Sequence, residues 1–379
     1  MPAPTVQRSV AVAALALSAC AAQKTREPAA DTGQGIRVPA EWEKQEAVWL
    51  QWPRSYESSD EPDFARIVAT TLQYEDTHIL THDARTRSSA ELALTADGGM
   101  AEAVVGGASN VGGFHLVWHD IANDNGWMRD NGPVYVREDG QLRIQDWGFD
   151  AWGGAFGRDV AYANDDAVPV AIGEHLELPV DAVDIVHERG NLEFNGTDTV
   201  VLNWTVIGDS NRNPGITKED VESAMKDRFG VERVVLLEGA PGGDLTGGHV
   251  DGIARFIDAQ RVVVADCSAN SACEPGGADD QIYDSAASVI AAAGLTVLRW
   301  PFATSVRYRG VDMDTDYMNW LVGNDFVLTV GFGDVDADAA AKAQLEEWFP
   351  GRDVHLIDTL ESWYNGGGVH CHTNDQPAL

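Results

Sequence analysis

Residues 134–144 read Val134-Tyr135-Val136-Arg137-Glu138-Asp139-Gly140-Gln141-Leu142-Arg143-Ile144. Two short apolar runs flank the turn residues Glu138-Asp139-Gly140, a pattern that is typical of a β-hairpin. The same order of apolar run, turn and apolar run recurs at 192–202, 253–264 and 321–328. The turns centre near residues 139, 196, 259 and 324. Units of roughly 60 residues favour an array of repeated modules over separate domains.

Segments with helical spacing lie between these hairpins, at 218–229, 286–293 and 336–348. About five modules of strands and one helix fit residues 39–379. We expect the first apolar strand, Ala47–Leu50, to pair with the end of the chain, because a closed array leaves no exposed sheet edge. The sequence therefore predicts one α/β domain built as a ring of repeats.

The composition indicates a globular and strongly acidic protein. Hydrophobic residues make up 44% of the chain, and 26 Lys and Arg stand against 60 Asp and Glu, a formal net charge of −34. Such a charge repels nucleic acid and favours small cationic ligands. Most of these carboxylates are nevertheless expected to lie on a solvated surface.

The N-terminus is predicted to be a targeting segment. Arg8 precedes an apolar run, 10–17, that is long enough for a secretory signal and too short to span a bilayer. The run ends in Leu17-Ser18-Ala19-Cys20, which resembles the cleavage site of bacterial lipoproteins, so Cys20 is a candidate lipid anchor. We expect residues 1–20 to be the signal peptide, residues 21–38 a flexible tether and residues 39–379 the mature folded domain, held on a membrane in the bacterial periplasm.

Three cysteines remain after Cys20. In an oxidising compartment, Cys267 and Cys273 are the predicted disulfide pair, since they flank a polar loop after an apolar run. Cys371 is then left as a free thiol.

The free thiol lies in Gly366-Gly367-Gly368-Val369-His370-Cys371-His372. Consecutive glycines indicate a backbone that another group must approach closely or that needs unusual φ values. A thiol in that setting is interpreted as a nucleophile. The alternative is a buried cysteine that acts as a small apolar side chain.

A polar cluster precedes each hairpin, at an equivalent point of each repeat. If the modules surround an axis, these clusters converge on one centre that holds a thiol, an imidazole and carboxylates, a set suited to covalent catalysis on a cationic substrate. The clusters are Trp127–Asp130, His187–Asn191, Gly247–Asp251, Tyr317–Asn319 and Gly368–Cys371.

An ordered set of phrases along the chain resembles the agmatine deiminase and bacterial peptidylarginine deiminase family. The phrases are Pro39–Trp42, Trp49–Pro53, Trp127–Pro133, Asp146–Gly154, Asn211–Pro214, Gly248–Asp251 and Gly366–Cys371. The resemblance covers nearly all of residues 39–379, and it implies the pentein fold, a five-bladed α/β propeller of ββαβ-type repeats around a central active site.

The resemblance also implies catalytic roles. Cys371 matches the nucleophile, His249 the general acid and base, and Asp130 and Asp251 the carboxylates that hold the guanidinium. Further candidate substrate-binding residues in the same clusters are Glu188, Asn319, Trp127, Arg189 and Gly368. No metal or organic cofactor is implied.

The activity that follows is hydrolysis of agmatine to N-carbamoylputrescine and ammonia, a step of putrescine and polyamine metabolism, through a thiouronium intermediate on the cysteine. Peptidylarginine deimination is the alternative. A polyamine-binding lipoprotein without catalysis remains a second alternative. A metallohydrolase using His249, Asp251, His370 and His372 is a third, although their spacing matches no recognised zinc pattern.

One departure from the family pattern concerns the substrate's far end. Agmatine deiminases usually have Glu-Gly-Gly where this chain has Glu188-Arg189-Gly190. Glu188 attracts an amine, whereas Arg189 repels it and could bind a carboxylate. We expect Glu188 and Arg189 to pair with each other, which preserves the preference for agmatine.

Overall fold

The computed structural model describes residues 35–157, 160–267, 273–301, 306–313 and 315–379. The predicted signal peptide, Cys20 and most of the predicted tether lie outside the described residues. Within the described ranges, no helix is long and apolar enough to cross a membrane.

Short strands make up most of the regular structure. They are β1 (Ile36–Arg37), β2 (Gln45–Gln51), β3 (Asp76–Leu80), β4 (Leu116–His119), β5 (Val134–Glu138), β6 (Gln141–Gly148), β7 (Val180–Val186), β8 (Glu193–Phe194), β9 (Thr199–Asn203), β10 (Arg233–Leu237), β11 (Ala254–Phe256), β12 (Arg261–Asp266), β13 (Thr296–Pro301), β14 (Val306–Tyr308), β15 (Val311–Met313), β16 (Leu321–Gly323), β17 (Phe326–Val330), β18 (Asp353–Ile357) and β19 (Asn374–Pro377).

The α-helices lie between these strands. They are α1 (Glu61–Thr71), α2 (Ala84–Ala96), α3 (Glu102–Val105), α4 (Met128–Asn131), α5 (Ala151–Gly154), α6 (Ala163–Asp166), α7 (Val168–Leu176), α8 (Trp204–Ile207), α9 (Lys218–Phe229), α10 (Ala278–Ala292), α11 (Val335–Trp348), α12 (Leu360–Asn365) and α13 (Val369–His372). Three 3₁₀ turns in the described ranges complete the set, at Ser55–Asp60, Arg189–Asn191 and Val250–Gly252.

One strand pattern repeats in the larger sheets. In each, a central strand pairs antiparallel with one neighbour and parallel with the other; the triplets are β5-β6-β7, β8-β9-β10, β11-β12-β13, β16-β17-β18 and β19-β2-β3. β1 extends the first sheet beside β5, and β4 extends the last beside β3. The predicted hairpins and the α/β class are therefore confirmed.

The turn between β5 and β6 shows why these hairpins form. Asp139 and Gly140 both have positive φ, 50° and 79°, as a type I′ turn requires. That turn matches the right-handed twist of the two strands, so Glu138 pairs directly with Gln141.

The pairing between the first apolar strand and the end of the chain is also present. β19 lies antiparallel to β2, with Asn374 opposite Trp49. The domain begins earlier than predicted, however, because Ile36 and Arg37 pair with β5 and Val38 is buried. The last residues of the predicted tether are thus part of the domain.

Two of the predicted helices match the structure closely. α9 spans the predicted residues, because a capping box of Thr217 and Asp220 begins it and Gly230, with φ 66°, ends it. α11 begins one residue earlier than predicted, where Asp334 caps it. α10 begins eight residues before the predicted 286–293, because its first turns are polar and carry no apolar period.

The polar clusters meet where the sheets and short turns come together. The turn Arg189–Asn191 contacts the turn Val250–Gly252 and α4, and α4 contacts α13. The strands behind them are apolar and buried, as in β12, where 262–265 is fully buried. The convergence predicted from the sequence is confirmed for these elements.

A buried ion cluster links this centre to the last strand. Arg129 on α4 is fully buried, and its Nη1 donates to Asp375 Oδ1 at 2.7 Å. Arg189 Nη2 lies 3.5 Å from the same oxygen. Two buried guanidiniums thus share one carboxylate, and removing that charge would leave both uncompensated.

We therefore expect Asp375→Asn to lower the free energy of unfolding by about 3 to 5 kcal/mol. The control is Asp312→Asn, which removes an exposed partner of Arg307 and should cost less than about 1 kcal/mol. Urea unfolding followed by tryptophan fluorescence measures both variants. Equal losses would show that the buried cluster does not stabilise the fold.

Candidate active site

Cys371 lies in α13 at the convergence of the polar clusters. It is the free cysteine among the described residues, and it is buried. Cys267 and Cys273 are bonded to each other, which is the predicted pairing.

The glycines before Cys371 allow close packing around the thiol. A Cβ on Gly367 would lie 2.4 Å from the Trp127 ring and 3.0 Å from Cys371 Sγ, and one on Gly368 would lie 2.7 Å from Asn319 Oδ1. Gly366 has a φ of 121°. Gly366 therefore meets a conformational need, whereas the other two provide space.

Asn319 fixes the thiol and its backbone. Its Nδ2 donates to Cys371 Sγ at 3.1 Å, and its Oδ1 accepts from the His370 amide at 2.9 Å. The same Nδ2 lies 3.3 Å from Asp251 Oδ2, which is 3.9 Å from Cys371 Sγ. Asn319, Asp251 and Cys371 are thus brought together as predicted.

A second group surrounds His249. Its Nδ1 lies 3.4 Å from Asp130 Oδ1 and its Nε2 lies 3.6 Å from Glu188 Oε2. Burial lowers the pKa of this imidazole, but the Asp130 and Glu188 carboxylates offset burial, so the pKa lies well above its usual value. The two carboxylates therefore favour the protonated form of His249.

Asp130 is oriented by its neighbours. Trp152 Nε1 donates to Asp130 Oδ2 at 2.8 Å, which leaves Oδ1 directed at His249. Gly190 makes room for this contact, since a Cβ there would lie 2.6 Å from His249 Nδ1 and 2.7 Å from Asp130 Oδ1. The glycine of Glu188-Arg189-Gly190 is thus required by the site.

The predicted pairing of Glu188 with Arg189 is wrong. Glu188 accepts instead from Arg212 Nε at 2.8 Å. Burial raises the pKa of Glu188, but His249 and Arg212 outweigh burial and lower the pKa to about 2. Arg189, the first residue of a 3₁₀ turn, instead donates to Leu192 O at 2.9 Å and lies near Asp375. Leu192 and Asp375, and not Glu188, are therefore the partners of Arg189 in this structure.

Arg212 is one of the site residues that the sequence did not reveal. It lies in Asn211-Arg212-Asn213-Pro214, one of the phrases that carried the family resemblance. Its Nη2 also donates to Thr246 O at 2.8 Å. The only sequence signal was that phrase, because nothing local indicates a partner 24 residues away.

The Cys371 thiol is disfavoured as a thiolate in the free protein. Burial raises its pKa, and the charges of Asp251 and then Asp130 raise it further, well above the usual value. A cation bound between those carboxylates would oppose the same effect.

Two cavities meet at Cys371, which together with Thr246 and Gly366 lines both. One, of about 360 Å³, contains His249, Asp251, Asn319, Gly368 and Trp363 among its walls. The other, of about 340 Å³, contains Asp130, Trp127, Trp152, Leu245, Glu57 and Asp60. A larger cavity of about 630 Å³, beside His119 and His175, contains none of the predicted site residues.

The histidines of the metal alternative do not form one set. His372 Nδ1 contacts Gly126 O at 3.0 Å, and its ring stacks on Trp127. His370 contacts Asp251, whereas His249 contacts Asp130 and Glu188. Across the described ranges, no group of three or more His, Cys, Asp or Glu side chains is arranged to hold a metal ion.

Comparison with known proteins agrees with this geometry. The chain is 29% identical over 366 residues to the agmatine deiminase of Pseudomonas putida, covering 91% of this chain and 96% of the relative. It is 28% identical over 390 residues to that of Pseudomonas aeruginosa, covering 93% and 98%. The solved agmatine deiminase of Enterococcus faecalis superposes with a TM-score of 0.76 at 24% identity, covering 94% and 99%.

The fold and the site define a hydrolase that acts on the C–N bonds of linear amidines. Within that class, the chain belongs to the Porphyromonas-type peptidyl-arginine deiminase family, whose sequence profile matches residues 37–377. The family resemblance inferred from the sequence is confirmed.

We expect iodoacetamide to alkylate Cys371 slowly at pH 7, because the thiolate is the reactive form. The rate should still rise above pH 9, given the direction of the pKa shift. Asp251→Asn removes a nearby negative charge and should accelerate alkylation, whereas Asp312→Asn, in the same cavity wall but exposed, should not. Mass spectrometry of the peptide containing Cys371 measures each rate. Fast labelling of the unchanged protein at pH 7 would contradict the raised pKa.

Proposed function

We propose that this protein hydrolyses agmatine to N-carbamoylputrescine and ammonia through a covalent intermediate on Cys371. The observation that carries the proposal is the position of the thiol at the junction of two cavities, with Asp130 lining one and Asp251 the other. The names of the Pseudomonas relatives support the same substrate.

The first step is binding of the guanidinium. This group is planar and charged at any physiological pH, so Asp130 and Asp251 hold it by paired N–H bonds. Its positive charge favours loss of the Cys371 proton to solvent, which overcomes the unfavourable setting of the free thiol. The thiolate then attacks the central carbon and gives a tetrahedral adduct.

His249 moves the protons of the next steps. The protonated imidazole gives its proton to the departing nitrogen, ammonia leaves, and a thiouronium remains on Cys371. The neutral imidazole then takes a proton from water, whose oxygen attacks the same carbon. Breaking the C–S bond releases the urea product and the thiolate. Asp130 and Glu188 lie beside His249 and raise its pKa, which favours the protonated imidazole before the substrate reacts.

The walls of the second cavity favour a substrate whose far end is an amine. Trp127, Trp152 and Leu245 offer apolar surface for a methylene chain, and Glu57 and Asp60 lie in the same wall. Among the described lining residues of both cavities there is no Lys or Arg. A peptide's carboxylate would find no cation in those walls, so agmatine is favoured over peptidylarginine.

We further propose that the five repeated sheets form the five blades of the pentein propeller. The common strand order of the sheets, the β19-β2 pairing and the convergence of the polar clusters support this arrangement. The signal peptide, the lipid anchor on Cys20 and export to the periplasm remain proposals from the sequence, as does a place in polyamine metabolism.

Cys371→Ser should abolish ammonia release from agmatine while agmatine still binds, because the carboxylates that hold the guanidinium remain. The control, Cys267→Ser with Cys273→Ser, removes the disulfide and should keep ammonia release. Enzyme-coupled ammonia detection and calorimetric titration measure the two properties. Ammonia release by Cys371→Ser would exclude the covalent mechanism, and an unchanged protein that binds agmatine without releasing ammonia would be a polyamine-binding protein.

Glu57→Gln and Asp60→Asn should each raise KM for agmatine by about tenfold and leave KM for butylguanidine, which lacks the amine, unchanged.

Burial raises the pKa of Glu57 to about 7 and that of Asp60 to about 6. Both carboxyls ionise as pH rises through these values, so KM for agmatine should fall between pH 6 and 7. A preference for peptides ending in arginine over agmatine would replace this proposal with peptidylarginine deimination.

A further inference from the structure

His370, the residue before the thiol, lies between two carboxyl groups. It is 1% exposed. Its Nδ1 is 2.7 Å from Asp251 Oδ2, and its Nε2 is 3.0 Å from Glu41 Oε2. Neither Glu41 nor His370 has a part in the mechanism above.

These two contacts set a minimum number of protons. A neutral imidazole carries one N–H and one lone pair, and an ionised carboxyl group only accepts hydrogen bonds. With one proton, a nitrogen lone pair would face a carboxylate oxygen at hydrogen-bond distance, at a buried imidazole. The contacts are satisfied when the three groups share two protons, either both on the imidazole or one on the imidazole and one on a carboxyl group.

The groups around His370 bear on where the second proton lies. Burial lowers the pKa of His370, and the charges of Arg129 and Arg255 lower it further, while Asp251 raises it; the net direction is well below the usual value. This direction disfavours two protons on the imidazole itself, so the two-proton count rests on the two contact distances. The number of protons is the same for either placement.

Other contacts fix both carboxyl groups from outside. Glu41 Oε1 accepts from the Val322 amide at 2.7 Å, and Glu41 Oε2 accepts from Arg255 Nη2 at 2.9 Å. Arg255 also lies 3.2 Å from Glu193 Oε1. On the other side, Asp251 Oδ2 lies near Asn319 Nδ2 and the Cys371 thiol.

We propose that His370 is a positioning residue, and that Asp251, His370 and Glu41 form one unit that retains two protons at neutral pH. The part that concerns the substrate rests on the proposed function. The contacts with His370, Asn319 and Cys371 all use Asp251 Oδ2, so Oδ1 is available for a guanidinium N–H. The unit carries one negative charge in place of two, which reduces its opposition to a thiolate on Cys371.

Nitrogen-15 NMR of histidine-labelled protein at pH 7 tests the proton number without any substrate. His370 is assigned by the signals lost in His370→Asn. Neither of its nitrogens should show the shift of a bare lone pair. His187 is an internal control, because burial lowers its pKa to about 3, so that one of its ring nitrogens carries an unprotonated lone pair at pH 7. A bare lone pair on His370 like that on His187 would overturn the two-proton unit.

Two substitutions test the positioning role. The amide of His370→Asn lies near the place of Nδ1 and keeps a donor for Asp251, whereas that of His370→Gln lies near the place of Nε2 and reaches only Glu41. We expect KM for agmatine to rise by about tenfold or more in His370→Gln and clearly less in His370→Asn. Urea unfolding of both variants separates this effect from lost stability.

Equal KM values in the two folded variants would overturn the positioning role, because a merely structural histidine would not distinguish them. The failure of the proposed function is recognised separately. In that case the unchanged protein releases no ammonia from agmatine, while the NMR result on the two-proton unit still stands.

Discussion

The pairing of buried charges is the constraint on which the rest of this structure depends. The centre of the domain is lined by ionisable side chains from segments far apart in the chain, and water does not reach most of them. An unpaired ion in such a place costs several kcal/mol. Three buried ion pairs offset this free-energy cost: Arg129 with Asp375, Arg255 with Glu41 and Arg212 with Glu188. Each pair joins two different segments of the chain at the centre of the domain.

This pairing also explains which carboxylates remain for a cationic ligand. Glu188, Glu41 and Asp375 each accept from a buried guanidinium of the protein itself. Asp130 and Asp251 have neutral donors and histidines as partners instead. The protein's own arginines thus pair with Glu188, Glu41 and Asp375, whereas Asp130 and Asp251, which line the cavities at Cys371, have no arginine among their partners in the described residues.

The sequence predicted the local features and the residues whose neighbours along the chain identify them. The hairpins follow from turn residues such as Asp139 and Gly140, and the nucleophile candidate follows from the glycines before Cys371. The partner of Arg189 was predicted wrongly because sequence order does not show which way a side chain in a short 3₁₀ turn is directed. The roles of Arg212 and Glu41 were missed for a different reason: His370 and Glu41 are 329 residues apart, and no local pattern encodes such a contact.

The pairing of β19 with β2 has a consequence for how the protein reaches its working state. Trp49 donates a hydrogen bond to Gln376, which is 327 residues away in the sequence. The sheet that contains both residues therefore depends on a contact of very high sequence separation. Contacts of this kind form slowly and late in folding. Cys371 lies in α13, just before β19, and Glu41 lies just before β2. The Cys371 thiol and Glu41 are therefore brought together only when the first and last long strands of the chain pair.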